Sequence, residues 1–156
     1  MSDEKLTVQS VLGIDTHGSD VVLPKMNELS LFSKNSDGGR IENKDLFMFA
    51  FAVGVHAEMP IPIASRTSGG YIRTSYLSDG QTVLMRAVHF ARSDYKDSES
   101  LRDAHETYRL AEEYVNGGFQ IIEGDLDQNM GSEELTTAYI QELDTLYEQY
   151  TGKTVD

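Results

Sequence analysis

The segment that most restricts the fold of this chain is a stretch of hydrophobic residues at positions 44–55. Its apolar residues are Leu46, Phe47, Met48, Phe49, Phe51 and Val53. A helix of this composition has almost no polar face, so other elements have to cover it on most sides. Asn43 is a suitable N-cap, Gly54 weakens the end of the helix, and Pro60 and Pro62 prevent its continuation. The sequence therefore predicts a central helix and then an extended connector.

Two amphipathic helices are predicted after this connector. Ser78 and Gln81 have the spacing of a capping box, which starts a helix at residues 79–92. Asp97 or Ser98 caps the next helix, and the glycines that follow Asn116 are typical of a left-handed helix stop. The residues predicted to face inward are Val83, Leu84, Ala87, Val88 and Ala91 in the first helix, and Leu101, Ala104, Tyr108, Ala111 and Val115 in the second.

A fourth helix is predicted from Ser132 to a stop near Gly152. Between this helix and the Asn116 stop lies a short apolar piece, either a helical turn or a strand, at residues 119–122. The inward positions expected in the fourth helix are Leu135, Ala138, Tyr139, Leu143, Leu146 and Tyr147.

The N-terminal part of the chain is less regular. Residues 6–14 are typical of an extended segment, and the turn-forming residues 15–20 suggest a small hairpin with the apolar residues that follow. We expect one mainly α-helical domain over residues 1–156, with about four helices and a small β element near the N-terminus. Its expected parts are an irregular, β-containing segment at 1–42, a helical core at 43–150 and a tail at 151–156.

Composition excludes several classes of protein. The chain of 156 residues contains no cysteine, which rules out disulfide frameworks, thiolate metal sites and a cysteine nucleophile. No serine, histidine or carboxylate pattern marks a catalytic residue, and no histidine spacing marks a metal site, so no cofactor is expected. No leader or membrane-spanning segment is recognisable, which favours a cytoplasmic protein without membrane contact. The formal charge of -13 argues against direct binding of nucleic acid.

The negative charge is concentrated in the last third of the chain. Residues 1–96 hold 11 acids and 10 bases, whereas residues 97–150 hold 14 acids and only two bases, Arg102 and Arg109. A solvated surface that keeps the protein soluble explains this bias, and so does a surface that docks on a basic partner or imitates a nucleic-acid backbone. The residues expected to bind such a partner are Glu112, Glu113, Glu133, Glu134, Glu142 and Glu148.

Residues 66–73 are the only segment in which bases, glycines and an aromatic residue occur together. Arg66, Tyr71 and Arg73 flank two glycines whose backbone N–H groups are able to hold an anion. The segment lacks the lysine and hydroxyl residue that end a P-loop. A plain loop and an anion or ligand site are the two interpretations, and the second requires the three side chains to converge in a pocket.

Two stretches resemble a known family. Residues 44–54, KDLFMFAFAVG, and residues 111–122, AEEYVNGGFQII, are similar to two recurring blocks of the small dnd-system-associated proteins. These proteins are encoded beside genes for DNA phosphorothioation and its dependent restriction. The similarity covers residues 43–122, about half of the chain. It implies an accessory role in a bacterial or archaeal anti-phage system, and it carries no catalytic residue over to this sequence.

Together, these patterns favour a non-enzymatic accessory protein of a DNA-modification or defence system. Its expected partner is a larger basic or DNA-processing protein, bound through an acidic helical surface. One alternative is a DNA-mimic inhibitor of a DNA-binding enzyme. The other is an enzyme or small-ligand binder that uses residues 66–73. The tyrosines on the predicted inner faces suit a monomer core as well as a homodimer seam, so the sequence leaves the oligomeric state open.

Overall fold

The computed structural model describes residues 11–28, 42–93, 104–128 and 132–152. These residues form one mainly α-helical domain, as predicted, with five α-helices and a small two-stranded sheet. The helices are α1 (Leu23–Glu28), α2 (Asn43–His56), α3 (Asp79–Arg92), α4 (Ala104–Leu126) and α5 (Ser132–Thr151), and the strands are β1 (Val11–Leu12) and β2 (Ile72–Arg73). Short turns of π-helix at Gly18–Val22 and of 3-10 helix at Thr74–Tyr76 precede α1 and α3.

Helices α2 and α4 pack against each other along most of their length and form the centre of the core. From α2 the core takes Phe47, Ala50 and Phe51, and from α4 it takes a row of residues that includes Tyr114 and Val115. The Phe51 and Tyr114 rings meet edge to face with their centroids 6.2 Å apart. The predicted central helix is therefore confirmed. It begins one residue earlier than expected, because Glu42 is the N-cap and its N–H donates to the Asp45 carboxylate at 3.0 Å.

The helix stop predicted after Asn116 is wrong, because α4 continues through Gly117 and Gly118 as far as Leu126. A Cβ added to Gly117 would overlap the carbonyl oxygen of Met59, and one added to Gly118 would overlap the carbonyl oxygen of Ala50. Glycine at 118 lets the backbones of α2 and α4 approach closely, and glycine at 117 lets the connector after α2 approach α4. The apolar piece at residues 119–122 is thus a continuation of α4.

Asn116 holds the proline-containing connector instead of ending a helix. Its side-chain amide donates to the carbonyl oxygens of Ile61 at 3.1 Å and Pro62 at 3.2 Å. The N–H of Ile61 in turn donates to the carbonyl oxygen of Glu113 at 2.9 Å. The extended connector is therefore fastened along the outside of α4.

The small β element is present, but the predicted N-terminal hairpin is wrong. Strand β1 pairs antiparallel with β2, which lies in the segment where the sequence suggested a loop or an anion site. Residues 18–28, expected to contain a turn and a strand, are helical instead. Val22 and Met26 from this helical segment are buried in the core, so helix packing and not strand pairing covers its apolar side chains.

Helix α3 has the predicted bounds but a different inner face. Its capping box is present, since the Gln81 N–H donates to Ser78 Oγ at 3.1 Å and the Ser78 N–H donates to Gln81 Oε1 at 2.9 Å. The buried residues are Met85 and His89, and His89 Nδ1 lies 2.7 Å from Thr107 Oγ1 on α4. Of the predicted inward residues, Val88 is half-buried, and Val83, Leu84, Ala87 and Ala91 are exposed.

Helix α5 begins and ends close to the predicted residues, and Gly152 follows it in a left-handed conformation with φ 67°. Leu135 is buried, and Tyr139 packs edge to face on Phe49 of α2 with centroids 5.3 Å apart. Leu143 and Tyr147, also expected inside, are exposed.

The inward residues predicted for the preceding helix are buried at Ala104, Tyr108, Ala111 and Val115. Its proposed caps Asp97 and Ser98, and Leu101, lie outside the described residues. No helix in the described part of the chain is long and apolar enough to cross a membrane.

Candidate functional site

Glu112, the first of the predicted partner-binding acids, lies inside the protein. Its side chain is only 3 % exposed, its carboxylate accepts a hydrogen bond from the Gly13 N–H at 2.7 Å, and it forms an ion pair with Arg66. The expectation that Glu112 belongs to an acidic surface is therefore wrong. The pair ties α4 to the segment after β1 and to the segment before β2, which is a structural role.

Glu113 lies nearer the surface but has a basic neighbour. The Arg109 guanidinium pairs with Glu113 at 3.2 Å and with Glu106 at 2.8 Å. These carboxylates raise the pKa of Arg109, with the hydrogen bond to Glu106 as the largest cause. The acidic surface of α4 is thus partly neutralised by Arg109, one of the two bases in residues 97–150.

Helix α5 carries the remaining predicted acids. Glu134, Glu142 and Glu148 are exposed on it, and the side chain of Glu133 lies outside the described residues. Residues 132–151 contain five acids and no lysine or arginine. Glu142 Oε1 lies 3.4 Å from His56 Nε2 on α2. The structure therefore gathers three of the six predicted acids on one helix whose own sequence offers no counter-charge.

The same helix exposes three large apolar side chains. Ile140, Leu143 and Tyr147 are 53 %, 60 % and 48 % exposed, and their spacing of three and four residues places them along one stripe. An exposed stripe of this kind is typical of a surface that contacts another molecule. Leu143 and Tyr147 were predicted to lie in the core, because periodicity cannot distinguish a core stripe from an interface stripe. We name the exposed acids and this stripe together the α5 surface.

A second acid with a structural role, Asp15, was not singled out by the sequence. Its two carboxylate oxygens accept backbone N–H groups from His17 at 3.0 Å, Ala64 at 3.0 Å and Ser65 at 3.1 Å. Burial raises the pKa of Asp15, but the hydrogen bonds and the charge of His17 outweigh burial and hold it below its usual value. Asp15 therefore joins the start of the first helix to the connector in its ionised form.

Replacing Asp15 with asparagine is expected to lower the free energy of unfolding at neutral pH by about 2 kcal/mol, because charge-assisted hydrogen bonds are lost. A depressed pKa stabilises the fold fully above the unfolded-state value of about 3.9 and loses that contribution as pH falls through the folded-state value. Urea unfolding, measured from about pH 3 to pH 7, should therefore show a difference in the free energy of unfolding that is constant above about pH 4 and becomes smaller below it. A gap of the same size at every pH would contradict this role. Asp20→Asn is the matched control, since Asp20 is exposed.

The three side chains of the predicted ligand segment do not all converge. Arg66 is held by Glu112, whereas Tyr71 and Arg73 line a cavity of about 830 Å³ together with the start of α2. Burial raises the pKa of Tyr71 to about 12. Among the described residues no three histidine or acidic side chains are grouped as a metal ion would require.

Comparison with known proteins identifies the family of the chain. The model of a protein family described as DNA sulphur modification system-associated protein 4 matches residues 27–153. This range includes both stretches on which the sequence resemblance rested, and it extends through α5. No curated protein and no solved structure matches the chain.

Proposed function

Because the chain belongs to the family of DNA sulphur modification system-associated protein 4, we propose that it serves such a system as a non-enzymatic adaptor in prokaryotic anti-phage defence. Its partner is a larger protein of the system with a basic, partly apolar surface. The description of the family associates it with DNA sulphur modification. The proposed docking role and partner rest on the surface of α5, and the proposed defence role rests on the resemblance to the dnd-system-associated proteins.

The observation that carries this proposal is the combination of charge and apolar area on α5. Ile140, Leu143 and Tyr147 each leave about half of their surface in water. Helix α3 also exposes apolar side chains, Val83, Leu84 and Phe90, but its exposed charges include Arg86 and Arg92, whereas α5 carries acids and no lysine or arginine. Exposed apolar side chains surrounded by polar ones are typical of protein–protein interfaces. The acids around them select a partner of opposite charge and accelerate its approach.

The same stripe favours an adaptor over a DNA-mimic inhibitor. A cleft that binds DNA recognises phosphates mainly through polar and basic groups, and it does not need an apolar stripe. The two roles differ in a simple measurement, because a mimic is displaced from its target by excess duplex DNA. An adaptor binds a surface of the partner other than the DNA-binding cleft, so it stays bound to the partner in excess duplex DNA.

Charge reversal on α5 is the direct test of this role. The doubly substituted variant Glu142→Lys/Glu148→Lys is expected to retain at least about tenfold less partner than the wild type at about 50 mM salt. Because both side chains are exposed, the unfolding transition should change little. The measurement is affinity isolation of the tagged chain co-expressed with the proteins of its sulphur modification system, at low and at high salt.

The matched control reverses two exposed acids outside α5, Asp20→Lys and Glu58→Lys, and changes the net charge by the same amount. If both variants lose the partner equally, net charge and not α5 governs binding. Unchanged retention in the α5 variant would remove the acids of this helix from the interface.

A further inference from the structure

An apolar groove lies between α2 and α5, beside the exposed stripe of the α5 surface. Its cavity has a volume of about 220 Å³. Leu143 lines this groove and also belongs to the stripe, and it is 60 % exposed, so the groove opens to solvent next to the stripe. The apolar residues that line the groove are Phe49, Ala52 and Val53 of α2, Ile121 of α4, and Leu143 and Leu146 of α5. We name this feature the α2–α5 groove.

The groove exists because α5 packs on the core only near its beginning. Leu135 is buried, and Tyr139 packs its ring on Phe49 of α2. One and two turns further along α5, Leu143 is exposed and Leu146 is half-buried, and both line the cavity. Apolar side chains of two helices are thus left in contact with water, and covering them with an apolar side chain of another molecule is favourable.

The charges at the groove select the kind of molecule that covers it. Among the described residues that line the groove, the polar ones are His56, Asp125 and Glu142, and none is a lysine or an arginine. The Asp125 carboxylate accepts a hydrogen bond from the Tyr139 hydroxyl at 2.9 Å, which fixes this acid at the groove. Residues 132–151 add a row of five acids without a lysine or an arginine. Charge complementarity therefore favours a basic segment.

The same charges disfavour a second copy of this chain bound through α5. Two such helices side by side would bring five acids against five, and like charges across an interface are costly. The volume of the groove is also below the roughly 300–1,000 Å³ of small-molecule sites. It suits one large apolar side chain, which then anchors the rest of the segment on the stripe.

The architecture of the groove favours a helical segment over an extended one. An extended peptide binds by adding a strand to a sheet edge, whereas an amphipathic helix lays its apolar side into a groove. The walls here are helices, whose backbone groups are hydrogen-bonded within each helix and are not available to a strand. The stripe from Ile140 to Tyr147 is about 10 Å long, which is two turns of a helix.

We propose that the α2–α5 groove binds a basic amphipathic helix of the partner protein. One large apolar side chain of that helix enters the groove, its neighbours one turn away contact the stripe, and flanking lysines or arginines pair with Asp125 and Glu142. This inference rests on the proposed docking role of α5 and names the part of the partner that α5 recognises.

Peptides derived from the sulphur modification system test the proposal. Labelled peptides of about 20 residues, long enough to form a helix, cover its proteins in overlapping steps, and fluorescence anisotropy measures their binding to the full-length chain. We expect the tightest peptide to be basic, with apolar residues three and four apart, and to bind with a dissociation constant of about 1–100 μM. Absence of saturable binding below about 1 mM, or tightest binding by an acidic or uncharged peptide, would overturn the proposal.

Substitutions in the bound peptide separate the two parts of the recognition. Replacing its largest apolar side chain with alanine should weaken binding at least about tenfold at low and at high salt. Replacing its lysines and arginines with glutamine should weaken binding at least about tenfold at low salt and much less at high salt. A peptide that tolerates the first change does not insert an anchor into the groove, and one that tolerates the second is not recognised by charge.

Ala52→Lys locates the binding on the protein. Ala52 is exposed and lines the groove, so a lysine there narrows the groove and repels a basic segment without disturbing the core. We expect at least about tenfold weaker peptide binding and an unchanged melting temperature. Ala87→Lys is the matched control, because it makes the same change at an exposed position of α3 outside the groove, and it should stay within about twofold of the wild type. Equal affinities of the two variants would overturn the groove as the binding site.

The same variants distinguish failure of this inference from failure of the docking role. If Ala52→Lys retains the intact partner protein and Glu142→Lys/Glu148→Lys does not, α5 docks the partner but the groove is not its site. If both variants retain the partner as the wild type does, the docking role of the acids fails as well. Dimerisation of the wild type that Ala52→Lys abolishes would place a second copy in the groove and overturn the proposed occupant.

Discussion

Replacing Gly118 with alanine is expected to lower the free energy of unfolding by about 3 kcal/mol, which is a large part of the stability of an ordinary domain. The added methyl would overlap the carbonyl oxygen of Ala50, a backbone atom of the central helix α2. A backbone atom cannot rotate away as a flexible side chain does, so the two helices have to separate and lose contact along the core. Thermal unfolding should show a melting temperature lower by roughly 10 °C.

Gly124 provides the control on the same helix. A Cβ at this position meets nothing within 4 Å, so Gly124→Ala should stabilise the protein by about 0.5–1 kcal/mol through helix propensity. Opposite signs at the two glycines would show that backbone approach and not propensity decides their effect. A Gly118→Ala protein as stable as the wild type would contradict the close packing of α2 and α4.

Replacing Arg66 with methionine is expected to cost about 2–3 kcal/mol. It leaves the carboxylate of Glu112 buried without its counter-charge, and such a loss is more damaging than the pair itself is stabilising. This loss is smaller than that expected for a fully buried ion pair, because the Arg66 side chain is 45 % exposed and its charge is partly screened by water. Urea unfolding at neutral pH measures the effect.

Adding Glu112→Gln to Arg66→Met should restore about half of the lost stability, since the neutral amide still accepts from the Gly13 N–H without the cost of a buried charge. Arg109→Met is the control, because Arg109 lies on the same helix with 54 % of its side chain exposed, and its replacement should cost less than about 1 kcal/mol. Equal losses for Arg66→Met and Arg109→Met would mean that burial of Glu112 contributes nothing. The predicted loss of stability is largest for Arg66→Met, smaller for the double variant and smallest for Arg109→Met.

The helices were predictable where local chemistry decides them. The capping box of Ser78 and Gln81 starts α3 at the expected residue, and the composition of residues 44–55 identified the central helix. Such features act within one turn of the chain, so they can be recognised without knowing what lies nearby.

The errors arose where a distant part of the chain decides the outcome. A pair of glycines after asparagine is typical of a helix stop, and only the nearby backbones of Ala50 and Met59 explain why glycine is required inside α4. The partner of β1 lies in residues 72–73, which no local pattern connects with residue 11. Composition likewise could not reveal that Glu112 pairs with Arg66 inside the protein.

The candidate surface was predictable only in part. An excess of acids in the last third of the chain led to Glu134, Glu142 and Glu148, which the structure places on the exposed side of α5. Leu143 and Tyr147 of the apolar stripe beside them were predicted to lie in the core, because a helix that faces a partner has the same periodicity as one that faces the protein interior.

The apolar stripe of α5 provides the most direct test of the proposed docking role. We would measure how much sulphur modification system protein is retained by the tagged wild type, by Ile140→Ser/Leu143→Ser/Tyr147→Ser, and by a control with three exposed apolar residues of α3 replaced, Val83→Ser/Leu84→Ser/Phe90→Ser. If α5 is the docking surface, the α5 variant retains at least about tenfold less partner protein than the wild type at low and at high salt. The α3 variant retains as much partner protein as the wild type. Equal retention by all three proteins, or a loss confined to the α3 variant, would contradict it.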